Sequence, residues 1–400
     1  MNSRLLLVAL SLCSVVLAEP YTPKSPDEIV AQLNSGFSKE ADRALKSLRS
    51  ELRQQPENFC LASQVARELI RRARATGDPR HLSYAEATLK PWWDQPEPPV
   101  EALVLRATIR QSLHDFDTAR SDLEQTLRRD PANVQAWLTL AAIDLVQGRY
   151  DQARQAILQL TRRADALTTT TLAAGLGALT GQAQRGAERL HQMLQQAPTA
   201  SVELRSWAIT QLAEINTRLG RASDADKQFQ AALELDPNDP YTLGSYCDFL
   251  LDQSRGSDVI RLLSDRTRQD GLLLRQAEAR QQRGQPDDLA ALTGLVTELE
   301  TRFNAGRLSG RSIHQREEAR FLLNLKHDGA AALPVALKNW TVQREPSDAR
   351  LVLEAALAAK QPEAAAPVLQ FIRDNRLEDV ALQRLAKRIV PATATPRIEP

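Results

Sequence analysis

Aromatic residues are scarce in this chain: Phe, Trp and Tyr make up 4% of its 400 residues. Any core must therefore rest on Ala and Leu, which favours closely packed helices over a β-sandwich. Charge of one sign is missing too. Fifty-one Lys and Arg stand against 50 Asp and Glu, so nothing steers the chain toward nucleic acid or anionic lipid. Histidine is sparse, at positions 81, 114, 191, 314 and 327, with no HExxH and no i,i+4 pair. Neither Cys60 nor Cys247 has a Cys or His close by. Zinc would lack its ligand spacing, and no metal or cofactor is expected. The sequence has no Gly-x-Ser-x-Gly elbow and no Walker motif. The run from Gly175 to Gly181, GLGALTG, resembles a phosphate loop only superficially. It is spaced GxGxxxG, and a dinucleotide fingerprint needs GxGxxG after a strand.

Long apolar runs are confined to one place. Leu5–Leu17 follows Arg4 and ends in the small-residue site Val16-Leu17-Ala18, the layout of a secretory signal. Its 13 residues fall short of the ~20 that a spanning helix needs. Lipidation at Cys13 is disfavoured by Leu12, where a small residue belongs. Cleavage after Ala18 is expected, and no later segment could span a bilayer. The basic side is mostly Arg, with nine Lys, which hints at a GC-rich bacterial genome. Export would then make the protein periplasmic or secreted. Cys60 and Cys247 lie 187 positions apart. In an elongated array they should not meet, and both read as buried small hydrophobes.

What the chain does have is a period. Ala85, Ala119, Ala153 and Ala187 follow one another at 34 residues, Ala225 comes 38 later and Val259 another 34 on. Ala107, Ala141, Gly175, Ala213 and Cys247 repeat the same spacings, irregularity included. Small residues recurring this way mark points where helix backbones approach closely, so each unit reads as a helix, a tight turn and an antiparallel helix. Leu at Ala141 or Ala153 would push the helices apart. Each pair has an apolar face that only the next pair can cover.

On these residues the chain resembles the tetratricopeptide repeat family. The fullest copy begins at Ser206 and has Ile209, Leu212, Ala213, Gly220, Ala225, Phe229, Ala232 and Pro237 in the family positions. A second copy supplies Trp137, Leu140, Ala141, Ala153 and Ile157, with Leu160 where Ala is usual. The one before it has Leu103, Ala107, Ala119, Leu123 and Pro131, but Arg106 in a Leu position. The third has Thr171 for the aromatic and Pro198 one residue early; the fifth has Leu243, Cys247 and Leu263, with Val259 for Ala. The resemblance implies an all-α, right-handed superhelical solenoid of antiparallel helix pairs.

The organisation expected is a signal at 1–18, divergent helical repeats at 19–97, regular repeats at 98–269, degenerate repeats at 270–390 and a flexible tail at 391–400. Ser25–Glu28 looks like a capping box. Helical patterns run over 39–54, 58–75 and 81–90, and 347–372 reads as a helix pair. Val259 to Val368 is three periods plus seven residues, an insertion placed near Phe303–Ser312. Asp122, Glu124, Arg128 and Arg129 read as a solvated face. Trp92 and Trp93 read as a plug between the first repeat and the regular array.

Within the family the first helix of each repeat lines a concave groove. The resemblance carries that role to Leu138, Leu145, Leu172 and Leu176 as an apolar trough. It carries it also to Trp207, Thr210, Glu214, Arg218, Tyr241, Asp248 and Asp252 as an aromatic and acidic patch. None of the Lys and Asn with which some members hold a terminal carboxylate stands at the groove positions. The leading reading is a non-enzymatic periplasmic scaffold for a protein or peptide segment, serving envelope assembly or secretion. Nucleic acid is not an expected partner. Two alternatives stand: an enzyme with its site in 270–345, and a carbohydrate or peptidoglycan binder using Trp207, Tyr241, Trp92 and Trp93. Trp207 has a structural alternative, packing against the four-residue extension within Thr199–Leu204.

Overall fold

A computed structural model describes residues 37–266, 268–308 and 315–389. The expected signal, the Ser25–Glu28 cap and the tail at 391–400 lie outside them. The chain divides into two units, Met1–Ala44 and Leu45–Pro400. Of the first, only the opening of helix α1 (Lys39–Gln54) is described.

The second unit continues α1 and adds helices that pair in sequence. The pairs are α2 (Phe59–Thr76) with α3 (Arg80–Trp93), α4 (Val100–Ser112) with α5 (Phe116–Arg129), and α6 (Val134–Val146) with α7 (Tyr150–Leu160). Next come α8 (Ala166–Leu179) with α9 (Ala183–Gln196), α10 (Val202–Arg218) with α11 (Ala222–Leu235), and α12 (Pro240–Asp252) with α13 (Gly256–Leu262). Three further pairs follow: α14 (Asp270–Arg283) with α15 (Pro286–Leu308), α16 (Gln315–Asn324) with α17 (Gly329–Val342), and α18 (Pro346–Ala358) with α19 (Ala366–Asp374). A 3-10 turn at Pro362–Ala365 leads into α19, and α20 (Val380–Ile389) packs on α18. Among the described residues there is no strand, and no helix is long and apolar enough to cross a membrane. The fold is an all-α solenoid of helix pairs.

Local chemistry explains the repetition. Asn58, Asn133, Asp165, Ser201, Asp239 and Asp328 each accept a backbone N–H three residues on, relieving a helix start of one orphan donor. Between the helices of several pairs the chain turns through left-handed backbone, at Gly148 (φ 69°), Gly181 (φ 77°) and Gly220 (φ 75°). Glycine holds that conformation without a Cβ penalty. All members of both small-residue ladders are buried, including Val259 and Cys247. The GLGALTG run is the end of α8 and its turn, with Gly175 buried against Gln211.

Some expectations need correcting. Cys60 is exposed, its sulfur accepting from Gln64 at 3.4 Å; only Cys247 is a buried hydrophobe. Asp122 is buried rather than solvated. It takes Arg106 in a fork (2.6 and 3.0 Å) and Arg110 at 2.6 Å. This explains Arg106 in a Leu position: its stem fills the core site and its head neutralises Asp122. The extra residues of the longer period add a turn to the start of α10, which runs 17 residues. Helix α15 runs unbroken through buried Phe303 for 23 residues. Trp92 is buried against Phe59, Ala62 and Ala102, and Trp93 lies under Arg106 and Arg110.

The main surprise is that distant parts of the second unit meet. Residues from α16 to α20 share one apolar cluster with Tyr150, Ile157, Leu160, Leu172 and Leu176. The Arg344 N–H donates to Val146 O at 2.7 Å, and the Ala183 N–H donates to Glu378 Oε2 at 2.6 Å across 195 residues. Gly148 faces Phe371 and Arg344, Gly181 faces Arg376, and Gly220 faces Val380. The C-terminal segment thus lies along three consecutive repeat turns. Residues far apart in sequence were expected not to meet, because neighbour-to-neighbour stacking was the only packing the period encodes.

Candidate functional site: the inner face

The first helices α6, α8, α10 and α12 present the anticipated groove residues, and the C-terminal helices change their surroundings. Leu172 and Leu176 are buried in the shared cluster; Leu138 and Leu145 pack against it. The apolar trough is therefore filled by the chain itself. Trp207 also packs against this cluster, and not merely against the extension before α10. Thr210 is fully buried, its hydroxyl 2.8 Å from that of Thr242.

The acidic patch is likewise engaged. Glu214 accepts from Ser245 Oγ and Gln211 Nε2, both at 2.7 Å, and Tyr241 bonds to it from α12. Desolvation here raises the Glu214 carboxyl and the Tyr241 phenol. Arg218 approaches Glu214 only loosely, at 4.0 Å. Asp248 takes Arg275 Nε at 2.9 Å and Arg320 Nη1 at 2.6 Å. Burial alone would raise the Asp248 carboxyl, but the two guanidinium groups bring it down to about 2. Asp252 is held in a fork by Arg350 at 2.6 and 2.8 Å.

Sequence reasoning missed the arginines that complete this seam. Arg320 also forks onto Glu278, and Arg316 binds buried Asp348 (2.6 and 2.7 Å) and Glu345. Arg316 and Arg350 are 34 residues apart. One further rung of the period was therefore available as a signal. Such desolvated networks specify one arrangement more than they add stability. Tyr241 remains 52% exposed. Trp92 and Trp93 pack in two other clusters, so the four aromatics of the carbohydrate reading are not brought together. Within 270–345, Arg275, Glu278, Arg316, Arg320 and Glu345 belong to these ion pairs. Among the described residues no group of three or more His, Cys, Asp or Glu could hold a metal ion.

Two family models, both described as tetratricopeptide repeat, match residues 112–167 and 208–239. The chain carries tetratricopeptide repeats. The matched stretches cover α5 to α7, most of α10 and all of α11. Similar solved structures include a tetratricopeptide repeat protein from Parabacteroides merdae, at 16% identity over 72% of this chain and 98% of that one, TM-score 0.34. The human IFIT1 dimer with PPP-AAAA is 12% identical over 84% and 86%, TM-score 0.43. Yeast Tom70 is 14% identical over 88% and 92%, TM-score 0.31. No curated protein matches significantly. At such identities and TM-scores, nothing about ligands or partners passes from these proteins to this tetratricopeptide-repeat chain.

Proposed function

We propose that the chain is an exported, non-enzymatic scaffold that holds a protein or peptide segment at its inner face. In this reading residues 1–18 are removed, the mature protein is periplasmic, and it serves envelope assembly or secretion. The repeat architecture supports the scaffold part, since such arrays act through surface rather than through reacting groups. The observation that carries the site is Tyr241, 52% exposed on α12 and one repeat on from Trp207. A rigid aromatic beside carboxylates suits a partner residue with an apolar body. The trough of Leu138, Leu145, Leu172 and Leu176 serves the chain's own C-terminal helices, so partner contacts concentrate near Tyr241.

The test separates the two aromatics. Tyr241→Ala is expected to lose captured partners from envelope extract with an unchanged melt, whereas Trp207→Ala lowers the melt. Partners retained by Tyr241→Ala would refute the site. Mass spectrometry of the native protein should begin at Glu19; a retained Met1 or a lipid on Cys13 would refute export by a cleaved signal.

A further inference from the structure

Contacts between distant parts of the second unit recur at one spacing. The Gly148 turn meets Arg344, 196 residues on, and the Gly181 turn meets Arg376, 195 residues on. Ala183 and Glu378 are likewise 195 apart. The turn between α2 and α3 follows the same rule. A Cβ on Gly77 would lie 2.6 Å from Gln269 Cγ, 192 residues on, and Gln269 Nε2 donates to Ala75 O at 3.3 Å. One winding of the solenoid thus takes some 195 residues, after which the chain comes to rest on its own earlier turns.

These contacts differ in kind. Around Gly148 the two windings share one apolar cluster, in which Tyr150, Ile157 and Leu160 pack with residues of α16 to α20. The cluster of α2 and α3 extends to Leu105, Ile109 and Leu113, and its described members end there. The first pair thus meets the second winding through an exposed glutamine amide, not through that shared core. Exposed polar contacts of this kind open at lower free energy than a packed core. Gln269 is nevertheless held in position from behind. Arg302 of α15 donates through Nη1 to Arg268 O and to Asp270 Oδ1, both at 2.9 Å, so the residues on either side of Gln269 are pinned to α15. The Gln269 side chain makes no capping bond to α14, and its amide serves the turn instead. Gly77 meets it with left-handed backbone (φ 67°) and no Cβ in the way.

We propose that Gln269, positioned by Arg302, is a reversible latch that closes the first winding of the solenoid. The pair α2 and α3 swings off this latch as a unit, while the windings stay joined around Gly148, Gly181 and Gly220. Arg302 acts only through Gln269 and is a positioning residue. The latch is independent of the partner site at Tyr241.

Hydrogen exchange of the full chain, read by mass spectrometry, tests this. Gln269→Ala should speed exchange of residues 74–82 about fivefold, the loss of one hydrogen bond and its packing, and leave residues 134–196 unchanged. Small-angle scattering should show a larger radius of gyration for the same variant. Arg302→Gln should speed exchange of 74–82 to a similar extent, although it touches none of those residues. Combined with Gln269→Ala it should add nothing further there, because both act through one contact. Unchanged exchange of 74–82 in Gln269→Ala overturns the latch. So does a rise spread evenly over 134–196, which would mark general loosening instead. An added effect of Arg302→Gln in the Gln269→Ala background overturns its positioning role.

Discussion

Replacing Gly148 by Ala and Gly284 by Ala poses one backbone problem in two surroundings. Both glycines are left-handed, with φ of 69° and 63°, and an L-residue there costs roughly 1–2 kcal/mol. Any gain from stiffening the unfolded chain is the same in both and cancels. The surroundings differ. A Cβ at Gly284 would meet nothing closer than Gln281 O of its own turn, at 3.9 Å. A Cβ at Gly148 would lie 2.7 Å from Phe371 Cζ and 3.3 Å from Arg344 Cβ. Phe371 has little room to retreat, with the Trp340 ring at 5.2 Å and the Tyr150 ring at 5.8 Å. Overpacking should then add about 1–3 kcal/mol. Gly284→Ala is expected to cost ~1–2 kcal/mol and Gly148→Ala ~2–5 kcal/mol in urea unfolding followed by circular dichroism. Combined with Phe371→Ala, Gly148→Ala should cost less than the sum of the two single changes, because the ring it would strike is gone. Equal costs at the two glycines, with no coupling to Phe371, would refute the docking of the C-terminal helices on this turn.

Asp122→Asn should destabilise by about 2–4 kcal/mol in thermal or urea unfolding, because Arg106 and Arg110 keep their charge in a largely buried site without its partner. Stability should fall with acid. Asp248 titrates near 4 when unfolded and at about 2 when folded, so its contribution is complete above pH ~4 and disappears as pH falls through about 2. Asp248→Asn should remove that part of the acid limb in a pH series of melts. Lys360 is left-handed and exposed (φ 57°), so Lys360→Gly should raise stability by ~0.5–1 kcal/mol, read as a higher melt.

The pairing of helices was legible from the ladders of small residues alone, because close backbone contact tolerates little else. The helix starts capped by Asn133 and Asp239 were not singled out, since Pro131 and Pro237 read only as repeat positions. The return of the C-terminal helices was not legible either. A repeat period encodes the interface between neighbours, and nothing in it marks contacts 195 residues apart such as Ala183 with Glu378. The turn glycines in this contact read as turns, Glu378 and Arg376 carry no pairing signal, and the apolar residues of the shared cluster read as the cores of their own repeats. Asp122 was misread for the same reason: sequence shows the carboxylate, and only the fold shows which arginines close over it. The groove residues stand on the first helices of their pairs, but whether they face solvent depends on chain that lies far downstream.

The contact of the C-terminal segment with Gly148, Gly181 and Gly220 has a consequence for how the molecule comes apart. A simple stack is a one-dimensional chain of neighbours, and it can fray from either end one unit at a time. A segment that bridges three successive turns ties those units to a common fate, so calorimetry should show one transition for residues 100–389 rather than a graded loss. It also fixes the count. Insert or delete one repeat between Ala136 and Arg218, and the turns no longer match Phe371, Arg376 and Val380. Solenoids commonly gain and lose units by duplication; in this one, the number between those turns is not free to vary.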